Sequence, residues 1–142
     1  NTQIYFHDSG KISLEKNYIK GIKHGLLMRY YRNGKKQSEL IYQDDKKHGL
    51  AKWYYDNEVL SSVYKYNLGN ITDTVFNYYK NGNLKSYKIY VNNELDGEIV
   101  DFYITGLIKE QGSYRKGFKT GDWCNYDTLG VLKDCVFYKT DY

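Results

Sequence analysis

The sequence predicts an all-β protein made of antiparallel β-hairpins that repeat with a period of 24 residues. The first observation is a pair of aromatic columns at that spacing. One column is tyrosine throughout: Tyr18, Tyr42, Tyr66, Tyr90, Tyr114 and Tyr138. The other contains Phe6, Tyr30, Tyr54, Tyr78, Phe102 and Tyr126. A fixed period in this range is typical of proteins in which each repeat is one supersecondary unit.

The second observation is that 12 of the 13 glycines fall into three columns of the same period. The first column contains Gly10, Gly34, Gly82, Gly106 and Gly130. The second contains Gly25, Gly49, Asp73, Gly97 and Gly121. The third contains Gly21, Asp45, Gly69, Asn93 and Gly117. Gly, Asn and Asp best tolerate the positive φ of tight turns, so these columns are predicted turns. Glu58 interrupts the first column. In that loop we expect either that Asn57 takes the position with positive φ or that the loop shifts by one residue.

The third observation is the length of the segments between turns, which are six to eight residues long and rich in Tyr, Ile, Val and Leu. This composition favours strands, so each repeat reads as one hairpin. Stacked edge to edge, the hairpins are expected to form an elongated open sheet or β-solenoid. The 142 residues are predicted to be one domain with a partial repeat at 1–17, repeats at 18–41, 42–65, 66–89, 90–113 and 114–137, and a tail at 138–142.

Sequence parity predicts which columns share a face of the sheet. The column of Ile12, Lys36, Leu60, Leu84, Ile108 and Leu132 has the parity of the Tyr18 column, so both are expected on one face. Tyr30 and Tyr31 are sequence neighbours and are expected on opposite faces. One ladder is then core, and the Tyr31 ladder is either exposed or tucked under the curvature of the sheet.

The repeats resemble a known family. The units YIKGIKHGLLMRYYRNGKKQSEL, YQDDKKHGLAKWYYDNEVLSS and YRKGFKTGDWCNYDTLGVLKD are similar to the MORN repeat, and more closely to its bacterial variant. The resemblance covers about residues 5–138, with departures at Asp45, Glu58, Asp73 and Asn93. It implies an open sheet of hairpins. It also implies an antitoxin or immunity role, as in the YwqK-like group, or a scaffolding and lipid-proximal role.

The sequence contains none of the common catalytic or nucleotide-binding motifs, so we predict no enzyme activity and no cofactor. His24 and His48 share a column, but equivalent residues of adjacent hairpins lie about 9.5 Å apart, which is too far for one metal ion. We expect these histidines to face solvent, and we expect Asp96, Glu98 and Asp101 to be a solvated strand end. No metal site is predicted.

Cys124 and Cys135 are the two cysteines. If the loop pairs Asp127 with Val131, Cys124 opposes Asp134 and Cys135 opposes Trp123, which places the two sulfurs on opposite faces. Unpaired thiols are therefore favoured, and a register shift of one residue is what would allow a disulfide.

Charge is distributed unevenly along the chain. Residues 16–36 contain seven basic residues and no acidic residue. Residues 1–71 carry 12 basic and 7 acidic residues, a net charge of +5, whereas residues 72–142 carry 9 and 10, a net charge of −1. We predict a basic patch made of Lys16, Lys20, Lys23, Lys35 and Lys36. Such a patch attracts an acidic protein or anionic lipid, while the acidic second half disfavours nucleic acid.

The predicted function is non-catalytic binding of a toxin-like partner protein. The alternative is a structural or cell-envelope scaffold that binds anionic lipid or self-associates through its sheet edges. Tyr, Trp and Arg dominate interface hot spots. The predicted partner-binding residues are therefore Tyr31, Trp53, Tyr55, Tyr79, Tyr103, Arg29 and Arg32.

The chain as given has no initiator methionine, no signal-peptide pattern and no long apolar stretch. These features predict a soluble chain without a targeting segment. They leave its localisation open between a bacterial cytoplasm and the cell envelope.

Overall fold

The protein is all-β, as predicted, in a computed structural model that describes residues 1–139. Each of its thirteen strands runs antiparallel to the strands it pairs with in the open sheet. No helix within this range is long and apolar enough to span a membrane. The chain forms two compact units, unit 1 at residues 1–70 and unit 2 from residue 71 onward. The last three residues of the predicted tail, 140–142, lie outside the described residues.

Unit 1 contains β1 (Thr2–Phe6), β2 (Ile12–Ile19), β3 (Ile22–Tyr30), β4 (Lys36–Gln43), β5 (Lys46–Lys47), β6 (Gly49–Tyr54) and β7 (Leu60–Asn67). Their order in the sheet is β1-β2-β3-β4-β6-β7, and the short β5 pairs with β4. The strands of unit 2 are β8 (Asn70–Tyr78), whose first residue is counted in unit 1, β9 (Leu84–Val91), β10 (Glu94–Phe102), β11 (Ile108–Arg115), β12 (Phe118–Tyr126) and β13 (Leu132–Tyr138), in sequence order.

The hairpin loops form where the glycine column predicts them. In the loop between β3 and β4, the Tyr31 N–H donates to the Lys35 carbonyl at 2.8 Å, and Gly34 has a φ of 90°. Glu58 takes the same left-handed position in its own loop, with a φ of 68°. Its N–H donates to the Tyr55 carbonyl at 3.0 Å, as in the glycine loops. The prediction that Asn57 takes this position, or that the loop shifts, is therefore wrong.

The turns that join successive hairpins have two consecutive residues with positive φ, as in Lys20 at 49° and Gly21 at 82°. This is the two-residue turn whose twist suits a hairpin. Asp45 replaces glycine in the second turn, and its Oδ1 accepts a hydrogen bond from the Lys23 N–H at 2.9 Å. Asn93 does the same for Ile71 at 2.7 Å. The side-chain acceptor compensates for the loss of glycine at these two turns.

The strand after each loop contains one extra residue, a β-bulge that parity did not predict. After the loop at 127–131, Tyr126 pairs with Leu132 as expected, but the next pair is Asn125 with Asp134. The extra residue is Lys133, and the corresponding bulges in the other repeats contain Ser13, Gln37, Ser61, Lys85 and Lys109. Every residue beyond the bulge is consequently shifted by one position.

The bulge corrects the cysteine prediction. Cys124 lies directly opposite Cys135, their Cα atoms are 4.1 Å apart, and the two form a disulfide. The predicted placement on opposite faces, with free thiols, is wrong because it assumed an unbulged register.

The bulge also corrects the prediction about faces. Lys36 pairs with Tyr30, and Leu60 pairs with Tyr54. Directly opposite residues share a face, and the bulge that follows reverses the alternation. The Ile12 column therefore lies with the Tyr30 column, not with the Tyr18 column.

The core of unit 1 consists of Leu27, Leu40 and Ala51 on neighbouring strands. The aromatic side chains of Tyr42, Trp53, Tyr64 and Tyr66 pack against it, together with Leu14. In unit 2 the buried Trp123 covers Gly112 so closely that a Cβ there would come within 2.8 Å of the indole Cγ. Gly112 is the one glycine outside the turn columns, and it makes room for the indole ring.

Candidate functional site

The predicted tyrosine ladder connects neighbouring hairpins. The Tyr31 hydroxyl donates to the backbone carbonyl of Tyr54 at 2.6 Å. The same bond is made by Tyr79 to Phe102 at 2.7 Å and by Tyr103 to Tyr126 at 2.9 Å. At the start of the column, His7 Nε2 lies 3.0 Å from the Tyr30 carbonyl oxygen. These tyrosines, and Tyr55 in the corresponding position, are half-buried, so part of each side chain is exposed.

Two of the remaining predicted residues lie on either side of one strand of unit 1. Arg29 pairs with Ser38 on β4, and Ser38 pairs with Trp53 on β6. Arg29 is exposed, and the half-buried Trp53 meets Tyr64 edge-on, with 5.1 Å between ring centroids. Arg32 is exposed in the loop between β3 and β4 and is separate from this pair.

The five predicted basic residues have different neighbours within unit 1. Lys16 and Lys23 lie over aromatic rings, with their Nζ atoms 4.9 Å from the Tyr5 centroid and 5.5 Å from the Tyr42 centroid. Lys20 lies in the turn after β2. Lys35 forms an ion pair with Glu58 at 3.2 Å, and Lys36 forms one with Glu39 at 2.7 Å.

One face of unit 1, here called the aromatic face, contains most of the rings. Register and alternation place on it Leu14, Lys16, Tyr18, Lys23, Leu27, Arg29, Ser38, Leu40, Tyr42, Lys47, Ala51, Trp53, Ser62, Tyr64 and Tyr66. Lys47 lies over Tyr66 at 5.0 Å, as Lys23 does over Tyr42. Trp53, Ser61, Ser62, Tyr64 and Tyr66 line a shallow open groove.

The opposite face of unit 1 contains Glu15 and Glu39, the only carboxylates in its strands. The Tyr30 hydroxyl donates to Glu15 at 3.3 Å, and burial followed by the Glu15 charge raises the pKa of Tyr30. Burial and then Glu39 raise the pKa of Tyr54 in the same way. Each carboxylate thus favours the neutral form of a phenol beside it.

The opposite face also contains exposed aliphatic side chains that the sequence analysis did not identify. Leu26, Ile41 and Leu50 lie on β3, β4 and β6 and are 42%, 41% and 49% exposed. We call these three residues the aliphatic patch. The sequence signal for this patch is leucine at both residue 26 and residue 50, which are 24 residues apart. The equivalent positions in unit 2 are Thr74 and Glu98, so the patch is not repeated there.

The residues considered as metal ligands or acids are placed individually. His24 Nδ1 lies 3.5 Å from Asp44, and His48 Nδ1 accepts the Leu68 N–H at 3.3 Å. Glu98 accepts the Tyr87 hydroxyl at 2.8 Å. Within residues 1–139 no group of three or more His, Cys, Asp or Glu side chains is arranged to hold a metal ion.

Comparison with known proteins supports the family suggested by the repeats. The model of the MORN repeat variant matches residues 23–44, 47–67 and 74–92. No curated protein matches the chain. The match over three repeats supports placing the chain among the MORN-repeat proteins. MORN repeats are generally non-catalytic binding modules, and they commonly mediate interactions with proteins or lipids.

Proposed function

We propose that these MORN-type hairpins form a non-catalytic module that binds one partner protein, and that unit 1 provides the binding surface. The observation that carries this proposal is the aliphatic patch. Leu26 and Ile41 pair directly across β3 and β4, and Leu50 lies on β6, the next long strand of the sheet. Clustered apolar side chains that remain exposed on a folded unit mark interaction sites.

The more specific form of the proposal is an antitoxin or immunity-type protein with a toxin-like partner. It rests on the resemblance of the repeats to the bacterial variant of the family. This form requires a stoichiometric complex, because neutralisation needs each partner molecule to be covered. Tyr31, Tyr55 and Arg32 of unit 1 are the proposed polar and aromatic part of that surface, whereas Arg29 and Trp53 lie on the aromatic face.

The test is an affinity pull-down from the native source, with stoichiometry determined by mass spectrometry. We expect one dominant protein at a ratio near 1:1. A variant with Leu26, Ile41 and Leu50 changed to serine should retain less than a tenth of it. The matched control changes Val91, Ile104 and Leu129 of unit 2 to serine, because these are also exposed aliphatic residues. Equal capture by both variants would refute the role of the aliphatic patch, and no captured protein would refute the proposed function.

A scaffold that binds anionic lipid is the second candidate, supported by the lysines of unit 1. It predicts binding to vesicles that contain phosphatidylserine, weakened by salt. Changing Lys16, Lys20, Lys23, Lys35 and Lys36 to glutamate should abolish this binding. Survival of lipid binding in that variant would exclude this candidate. Self-association through sheet edges is its other form, and sedimentation of the purified chain tests it.

A further inference from the structure

We propose that the aromatic face of unit 1 is a second binding site, whose occupant is an acidic segment of a partner protein. This inference rests on the proposed function because the occupant belongs to a protein. It concerns the side of the sheet that does not contain the aliphatic patch.

The first argument is charge. The strands of unit 1 place Lys16, Lys23, Arg29 and Lys47 on the aromatic face. The two strand carboxylates of unit 1, Glu15 and Glu39, lie on the opposite face. Both pair with Met28, which follows Leu27 of the aromatic face and therefore points the other way. The aromatic face therefore carries four cations and no strand carboxylate, although unit 1 contains 12 basic and 7 acidic residues in total. A partner of negative charge is the one that this face attracts.

The corresponding face of unit 2 has a different composition. Register places Lys88 and Lys119 there, together with acidic residues: Asp73, Asp101, Glu110 and Asp134. The fold is the same in both units, so the absence of acid from the strands of the unit 1 face is a property of its sequence. This difference assigns the site to unit 1.

The second argument is the groove lined by Trp53, Tyr64 and Tyr66. Tyr64 stacks on Tyr66 with an interplanar angle of 15°, and Trp53 meets Tyr64 edge-on. These contacts hold the rings in place before anything binds. Rigid aromatic side chains bury area at a low entropic cost, so the groove is suited to an apolar side chain flanked by acidic residues.

The ring contacts also favour a protein segment over nucleic acid or lipid. Lys23 and Lys47 lie over the faces of Tyr42 and Tyr66, which are the positions that stacked bases would need. The groove rings are half-buried, so the flat surface of a bilayer reaches them poorly. Carboxylates on an extended chain can approach Lys23 and Lys47 while an apolar side chain beyond the Lys47 contact enters the groove, because Lys47 lies over Tyr66 at the groove.

The strands that contain Lys23 and Lys47 give the smallest spacing expected for the acids. Lys23 lies on β3 and Lys47 on β5, with β4 between them. Two strand spacings are about 9.5 Å. A polyproline II segment advances about 3.1 Å per residue with three residues per turn, so acids three residues apart lie on one side at about 9.3 Å. We therefore expect acidic residues at positions i and i+3.

The probe is a fluorescein-labelled peptide of four Glu-Pro-Leu units, compared with the same peptide in which glutamine replaces glutamate. Binding to the full chain is measured by fluorescence anisotropy, and the contacted residues are mapped by amide chemical shifts. We expect the glutamate peptide to bind at least tenfold more tightly, with shifts confined to aromatic-face residues. Absence of binding, or shifts on the opposite face, would overturn the proposal.

Charge reversal tests the face with a matched control. Changing Lys16, Lys23 and Lys47 to glutamate should weaken peptide binding at least tenfold. Changing Lys46, Lys52 and Lys65 to glutamate alters the net charge equally on the opposite face and should change it less than twofold. Equal losses would show that only net charge matters, which contradicts the proposal. Circular dichroism checks the folding of each variant. If a variant does not fold, the chemical shifts of the wild-type chain with the peptide decide which face binds it.

Three further measurements distinguish other occupants. The first measurement is binding of phosphatidylserine vesicles and of oligo-dT. Tighter binding of either than of the peptide, lost in the same way when Lys16, Lys23 and Lys47 are changed to glutamate, would overturn the choice of a protein segment. A dimer of the purified chain that this variant abolishes would identify a second copy as the occupant. A partner captured equally by both lysine variants would refute this inference and leave the proposed function intact. Selective peptide binding with no captured protein would refute the proposed function and leave the peptide site intact.

Discussion

The Tyr31 hydroxyl donates a hydrogen bond to the backbone carbonyl of Tyr54, with 2.6 Å between the two oxygens. Tyr31 follows β3 and Tyr54 ends β6, so the bond joins two successive hairpins. Tyr30, the other member of the aromatic pair, donates to Glu15 on the opposite face of unit 1. The repeated pair thus divides two tasks, since one ring packs on a face and the next ties the hairpin to its neighbour.

This arrangement predicts that Tyr31→Phe lowers the free energy of unfolding by about 1 kcal/mol, the usual net value of one hydrogen bond. The ring stays, so only the hydroxyl is lost. Urea denaturation measures the change. The control is Tyr5→Phe, because the Tyr5 hydroxyl bonds only the exposed side chain of Gln3 in the described structure. Equal effects of the two substitutions would contradict a special role for the bond from Tyr31.

The features that the sequence predicts well are local ones. Positive φ at Gly34 and Gly21 follows from residue type alone, and the 24-residue period then repeats the loop and the turn. Even Asp45 and Asn93 keep the backbone of the glycines that they replace, because their side chains accept an additional hydrogen bond. Strands, loops and the hairpin architecture are therefore readable from the chain.

The bulge after each loop is not readable in this way. Its extra residue is Ser, Gln or Lys in different repeats, so no residue type marks it. One unmarked residue reverses the alternation of every side chain that follows. That reversal explains why Cys124 pairs with Cys135 and why the lysines are divided between the two faces. Counting charges along the sequence, or assuming strict alternation, predicts neither result.

The disulfide predicts a second measurable effect. Reduction, or the double substitution of Cys124 and Cys135 by serine, should destabilise unit 2 by about 2–4 kcal/mol, because the bond closes a loop with a sequence separation of 11. Hydrogen exchange of β13 should become faster, while the amides of β2 and β3 in unit 1 serve as the internal control. A thiol assay on the unreduced, denatured chain should find no free thiol. Unchanged exchange of β13 after reduction would show that the bond does not secure this strand.

Gly112 predicts a steric effect of a single methyl group. Gly112→Ala places a Cβ against the Trp123 indole and should cost about 1–3 kcal/mol of stability. The double variant with Trp123→Val should lose less than the sum of the two single changes, because the smaller side chain removes the overlap. Thermal denaturation of the three variants gives the coupling. Strict additivity would mean that the overlap is relieved elsewhere.

Two buried serines predict opposite responses to the same substitution. Ser38 is 1% exposed, and its Oγ has no hydrogen-bond partner among the described residues. Ser86 is 4% exposed, and its Oγ accepts a bond from Asn77 at 3.2 Å. Ser38→Ala should therefore be neutral or stabilising, whereas Ser86→Ala should cost about 1 kcal/mol. Urea denaturation of both variants is the measurement, and a larger loss for Ser38→Ala would indicate a bound water at its hydroxyl.

Alkaline pH should destabilise the fold through its tyrosines. The pKa of Tyr30 is raised by burial and then by Glu15, and the pKa of Tyr54 is raised by burial and then by Glu39. The folded chain therefore retains protons that the unfolded chain releases near pH 10, so stability is complete below this pH and falls as the pH rises through the folded values. Absorbance at 295 nm should show a group of phenols that ionise above pH 10 in the folded chain and near pH 10 in urea. Glu15→Gln should move part of this group downward, and Asp8→Asn, in an exposed loop of the same unit, should not. A single transition near pH 10 in the folded chain would contradict the raised pKa values.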